Sequence, residues 1–208
     1  VYTPASFAER DPRKIHDFMR RHPFATLVTT GPSGLFASHL PLYLDDDRGA
    51  HGELWGHMAR ANPQWREPGA EVMAIFQGPH SYISPAWYES PGTVPTWSYV
   101  AIHAYGAFRV IDDCHATLEI LRRSVAREEQ SRPNPWVFDE TDPAIEPMLK
   151  AIVAFRIAIA RVEGKWKVSQ NHPVERQRKV IAALENQGDE KSREVALLMR
   201  ENLREPPK

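Results

Sequence analysis

The sequence predicts an α+β domain built on a closed antiparallel barrel, and three observations carry that expectation. Six or seven segments have the long apolar alternation of half-buried strands, helical patterns stand at both ends of the chain with a third inserted between strands, and Gly31-Pro32-Ser33-Gly34 supplies the turn of a hairpin.

Asp11-Pro12 sets a capping carboxylate ahead of a proline at the first helical position, and Ile15, Phe18 and Met19 recur at helical spacing up to His22-Pro23. A short amphipathic helix is expected there. Phe24 to Thr30 and Leu35 to Leu44 flank the turn as strands. Along the second, Phe36, Ser38, Leu40, Leu42 and Leu44 share one face, and Ala37, His39, Pro41 and Tyr43 the other. Glu53 to Met58 is a third strand and Glu71 to Gln77 a fourth. Thr96 to Ile111 is a long strand with a bend at Gly106. Asp112-Asp113 caps a helix whose apolar stripe is Cys114, Leu118, Leu121 and Val125, which makes Cys114 a buried structural thiol. That helix dissolves into the Pro-containing segment Arg132 to Pro147. Val153, Phe155, Ile157 and Ile159 alternate in a further strand, expected to turn at Glu163-Gly164 into Lys165-Trp166-Lys167-Val168. Asn171-His172-Pro173 opens a helix to Asn186, and Gly188-Asp189 separates it from a last helix ending near Leu203. The expected organisation is a single domain over 1–208 with a helical C-terminal segment, 172–204.

Composition narrows the function classes. Lys plus Arg number 26 against 27 Asp plus Glu, a net charge of −1, and the pI is about 6.8, so no global basic field draws the protein to nucleic acid or to an anionic membrane. Any DNA contact needs a local patch or a partner. The lone Cys114 cannot form an internal disulfide, and no CxxC or HExxH occurs, which argues against a metal site and fits a reducing, cytoplasmic setting. The first residues reach Glu9-Arg10-Asp11 without the apolar run of a secretory signal, and the apolar stretch from Ala151 to Val162 is broken by Arg156 and Arg161 and too short to span a bilayer.

The densest chemistry lies in Leu54 to Trp65, where an apolar strand runs into His57, Met58, Arg60, Asn62 and Trp65. Asn62-Pro63 fixes the backbone there, as expected of a binding loop. Ser38-His39-Leu40-Pro41, Gly78 to Pro85 and Val94 to Tyr99 have the same character. In this fixed order, with Tyr2 to Phe7, Phe76-Gln77-Gly78-Pro79-His80 and Glu163 to Asn171, these segments resemble the PaiB-type family of FMN-binding negative transcriptional regulators, over nearly the whole chain. The resemblance implies an FMN-binding split β-barrel, a homodimer with FMN at the subunit interface, and a link to transcriptional control through DNA or a regulatory partner protein.

The residues themselves suit such a ligand. A phosphate needs a permanent cation and neutral donors, which Arg60, Ser38 and Asn62 supply, and the same segments add His39, His57 and Met58 to the expected cofactor site. The isoalloxazine ring needs a flat apolar wall with amide or hydroxyl contacts, for which Trp97, Tyr99, Trp166, Gln170 and Gln77 have the chemistry, with Lys165 supplying charge. No catalytic residue is assigned. The alternatives are a flavin-dependent oxidoreductase using the same site, and heme binding through one of the histidines. Trp55 and Trp65 read as core or dimer-interface aromatics. The run Arg176-Gln177-Arg178-Lys179 reads as a solvated helix face and not as a helix-turn-helix.

Overall fold

The computed structural model describes residues 1–203, so position 204, the expected end of the helical C-terminal segment, lies outside them. In chain order the elements are β1 (Ala8–Glu9), α1 (Pro12–Arg21), β2 (Phe24–Gly31), β3 (Gly34–Pro41), β4 (Tyr43–Asp45), β5 (Glu53–Ala59), β6 (Val72–Ile83), β7 (Thr96–Ile111), α2 (Cys114–Glu129), α3 (Ile145–Lys150), β8 (Ile152–Lys167), α4 (Val174–Asn186) and α5 (Glu190–Glu201). The strands follow the order β3-β2-β6-β7-β8-β5-β4 in one sheet, with β1 added to β8.

The α+β class holds, but the expected barrel does not form. The sheet is open: its order starts at β3 and stops at β4, and among the described residues no ladder joins those two. Leu42 alone separates the end of β3 from the start of β4, too short a link for these two edge strands to fold back and pair, and its amide is taken on the β2 side by Pro23 O at 2.8 Å.

Two strands are longer than their sequence patterns suggest. β6 runs past Gln77 through Gly78-Pro79 to Ile83. β8 does not turn at Glu163-Gly164 but continues to Lys167, because Ala8 and Glu9 pair with Lys165 and Gly164. A side chain would be tight at that contact: a Cβ on Gly164 would sit 3.2 Å from Glu9 O and 3.1 Å from the Trp166 ring.

Backbone packing divides the chain into two compact units. The first comprises Val1–Ile15, Gln77–Ile102 and the chain from Glu163 onward; it buries Ile83, Val100, Ile102 and Val168, and packs α4 on α5 over buried Val180, Leu184, Val195 and Met199. On α4, Gln177 is buried and donates to His172 O at 2.7 Å, while Lys179 pairs with Glu89 at 2.9 Å. The run Arg176 to Lys179 is therefore divided between core and surface.

The second unit comprises His16–Phe76 and His103–Val162. Leu27, Ala74, Phe76, Phe155 and Ile157 are fully buried in its sheet. Tyr43, expected on the strand face that carries His39, is buried by stacking on Trp55 at 4.6 Å, in a cluster with Ile120, Ala154 and Ile111. Ile120 in that cluster rotates α2 relative to the expected stripe. Thr117, Ile120 and Ser124 face inward, and Cys114 is exposed in the first turn and not buried. Asp113 caps the helix as expected, its Oδ1 accepting from Ala116 N at 2.6 Å. The segment expected to be irregular contains the short helix α3.

Candidate functional site

In the second unit, the ends of β3 and β5 and the turn after β5 border a cleft of about 430 Å³. The antiparallel register places Ser38 opposite Leu27 and His39 opposite Thr26 on β2, and His57, Met58 and Ala59 opposite Ala154, Val153 and Ile152 on β8. Asn62 caps the turn Pro63–Trp65 by accepting from Gln64 N at 3.0 Å, and its amide donates to Ser38 Oγ at 2.8 Å. Buried Gln64 anchors the turn from below, donating to Leu27 O at 2.9 Å and Thr29 Oγ1 at 3.2 Å. The loop is thus fixed by hydrogen bonds, as Asn62-Pro63 led us to expect of a segment that aims side chains. His39 Nδ1 meets Thr26 Oγ1 at 2.9 Å.

Ser38, His39, His57, Met58 and Asn62 therefore line one cleft, with Leu40, Ala59 and Ile152. Arg60 does not. Its Nε and Nη2 donate to Lys150 O and Ile152 O, both at 2.7 Å, and its guanidinium borders a neighbouring cavity of about 390 Å³ beside Trp65, Cys114 and Lys150. Ile152 lines both spaces. Three of the five guanidinium N–H groups remain uncommitted.

The other expected site residues lie in the first unit. Trp97 is half-exposed between His80 at 6.1 Å and Tyr82 at 6.0 Å, and borders a cavity of about 190 Å³ with Lys167, whose ammonium donates to Thr96 Oγ1 and to Trp97 O. Lys165 is buried, donates to Tyr2 O at 2.9 Å and stands over the rings of Tyr2 and Tyr99. Trp166 is 3% exposed. Gln170 folds back on its own turn, accepting from Val168 N and donating to Trp166 O, and Gln77 is exposed.

Burial holds the His57 imidazole below its ordinary pKa, so it is neutral at pH 7. Burial does the same for His22 and His172, each helped by a neighbouring arginine. A folded-state pKa below the unfolded value of about 6.5 means that the unfolded chain binds protons first, so these groups' contribution is complete above that pH and is lost as pH falls through the folded values. The thermal midpoint of the ligand-free protein should fall between pH 7.5 and 5.5, and His57→Gln should flatten that slope. An unchanged slope would mean that His57 ionises freely in the folded protein.

No aspartate or glutamate lines the cleft; its polar groups are a hydroxyl, a carboxamide and two imidazoles. That set suits a phosphate monoester with a polyol chain, since every side chain there can donate a hydrogen bond and none repels an anion. Among the described residues no three His, Cys, Asp or Glu side chains gather to hold a metal ion, and no helix is long and apolar enough to cross a membrane.

The fold is α+β on an open antiparallel sheet, with an acid-free cleft at its strand ends. Residues 1–161 match the family described as "Putative FMN-binding domain", and the chain belongs to that family. It is 36% identical over 209 residues to Protease synthase and sporulation protein PAI 2 of Bacillus subtilis (strain 168), covering 98% of this chain and 99% of that protein. The fold is similar to that of a conserved hypothetical protein from Mycobacterium tuberculosis, with TM-score 0.59, 16% identity, and coverage of 83% and 94% of the two chains. It is also similar to a flavocytochrome from Azotobacter vinelandii, with TM-score 0.59, 13% identity, and coverage of 77% and 69%. Lys165, Trp166 and Gln170 lie beyond the family-matched stretch.

Sequence reasoning missed the cavity beside Arg60, with Cys114 and Lys150 on its border, because the one-position rotation of α2 is invisible in an apolar count. It also missed that Tyr43 is buried. The aromatic pair with Trp55 was the available signal.

Proposed function

We propose that the protein is an FMN-binding negative transcriptional regulator that acts as a homodimer. The observation that carries the cofactor assignment is the acid-free cleft of Ser38, His39, His57, Met58 and Asn62, in a chain of the FMN-binding family. FMN would supply a redox-active ring. This chain's part is to hold its phosphate and ribityl groups with the Ser38 hydroxyl and the Asn62 amide, and with the free N–H groups of Arg60 reaching from the neighbouring cavity past Ile152, which lines both spaces. Trp97, Tyr99, Lys165, Trp166, Gln170 and Gln77, which belong to the first unit, are proposed for the ring. The regulatory reading is supported by near-full-length similarity to the Protease synthase and sporulation protein PAI 2. With a net charge of −1, the regulator works through a local patch or a partner protein and not through a global field.

A homodimer is supported by apolar side chains left open in the second unit, where Phe24 is 67% and Leu35 78% exposed and Phe36 follows on the same strand. Sedimentation should report twice the chain mass of 23.7 kDa, and a monomer would reject the dimer.

Arg60→Ala separates phosphate from ring. Loss of a charge-assisted contact costs about 1.5 to 3 kcal/mol, roughly 10- to 150-fold in affinity. FMN affinity should fall by that factor, riboflavin affinity should stay nearly constant, and the FMN effect should shrink as salt rises. Equal losses for both ligands would place Arg60 against the ring, and no loss for either would leave it as the clamp on Lys150 and Ile152.

A further inference from the structure

His57 borders not only the cleft but a second space of about 190 Å³ in the same unit, formed with Tyr43 and the last turns of α2. Three of its polar side chains offer acceptors. Glu128 has one partner, the Tyr43 hydroxyl, which donates to it at 3.1 Å, and among the described residues it makes no ion pair. Glu129, by contrast, is already engaged by Arg132 at 3.2 Å and by the Trp136 N–H at 2.9 Å. Ser124 donates its own proton to Leu121 O at 2.8 Å, which turns the hydroxyl's lone pairs to the cavity's use. The neutral His57 ring has one accepting nitrogen.

The remaining walls are apolar or aromatic. Val125 lines the cavity, and Trp136, 58% exposed and set edge-on to Phe138 at 6.0 Å, presents an indole to it. Tyr43 already carries the Arg127 guanidinium 5.5 Å from its ring centre, so Trp136 is the aromatic face still open to a cation. An anion is excluded by two carboxylates. A divalent metal wants six or more oxygen ligands, and one unengaged carboxylate does not provide them.

We propose that this cavity binds a primary alkylammonium ion, with its ammonium on Glu128, further N–H groups donated to His57 and Ser124, and its alkyl chain against Val125 and Trp136. n-Butylammonium carries both parts, an ammonium for Glu128 and an alkyl chain for Val125 and Trp136. The site shares His57 alone with the cofactor cleft, since none of Glu128, Trp136, Ser124 or Val125 lines the cleft.

The test uses the purified full chain without flavin, titrated with n-butylammonium chloride at constant ionic strength while the Trp136 indole N–H is followed by NMR. A saturable shift is expected, with n-butanol producing none. Glu128→Gln should weaken the affinity by about tenfold or more, the loss of one charge-assisted contact. Trp136→Leu, followed through the Ser124 amide, should weaken it as well. Both variants should titrate FMN as the parent does, which reports an intact fold and keeps failure here distinct from failure of the flavin reading. No saturation, an equal response to n-butanol, or undiminished affinity in Glu128→Gln would overturn the proposal.

Discussion

Gly106→Ala should destabilise the protein by about 3 kcal/mol or more, at the upper end of what added atoms do in a packed interior. A Cβ at this position in β7 would lie 2.1 Å from Ala158 O and 2.9 Å from its carbonyl carbon, with Ile157 Cγ2 at 3.1 Å. The obstacle is backbone and not the free end of a side chain. Ala158 and Ile157 are themselves paired with Glu53 and Leu54 on β5, so β8 cannot withdraw without disturbing a second ladder. Urea unfolding should show a lower midpoint with an unchanged slope. A loss under about 0.5 kcal/mol would mean that the two strands are further apart than described.

Trp166→Ala should cost about 3 to 5 kcal/mol, the range for removing a buried large aromatic side chain. Trp166 is 3% exposed on β8, its ring lies 3.1 Å from where a Gly164 Cβ would be, and the Lys14 ammonium stands 5.9 Å from its centre. Trp166→Phe should recover most of that stability. The conservative variant is also the one to titrate with FMN: weaker binding at near-parent stability would put the indole at the cofactor, and unchanged binding would confine it to the core. A well-folded Trp166→Ala protein would contradict the burial described.

What was legible in the sequence was whatever depends on near neighbours. The cap at Asp113, the hairpin around Gly31 to Gly34, the span of β7 and the helix pair separated by Gly188-Asp189 follow from local turn and capping chemistry. Tertiary partners decided the rest. Glu163-Gly164 has the composition of a turn, yet β1 pairs with it and keeps it extended. Gly106 was visible as unusual, but the reason is the approach of Ala158 from a strand some fifty residues away. Sheet closure also depends on distant edges meeting, which alternation cannot report. For the candidate site, the residues Ser38, His39, His57, Met58 and Asn62 were legible as a group because three of them, His57, Met58 and Asn62, lie in one short stretch with an Asx-type turn. Which cavity Arg60 borders was not, since that depends on carbonyls at Lys150 and Ile152.

The three long strands change unit partway along their length: β6 between Phe76 and Gln77, β7 between Ile102 and His103, and β8 between Val162 and Glu163. Neither unit is therefore a continuous stretch of coding sequence, and no single crossover in a gene could transplant one of them. Even the 1–161 stretch that matches the family ends inside β8, before Gly164 and Lys165 meet β1. The two units must be inherited as one piece, and a change tolerated in one is selected in the company of the other.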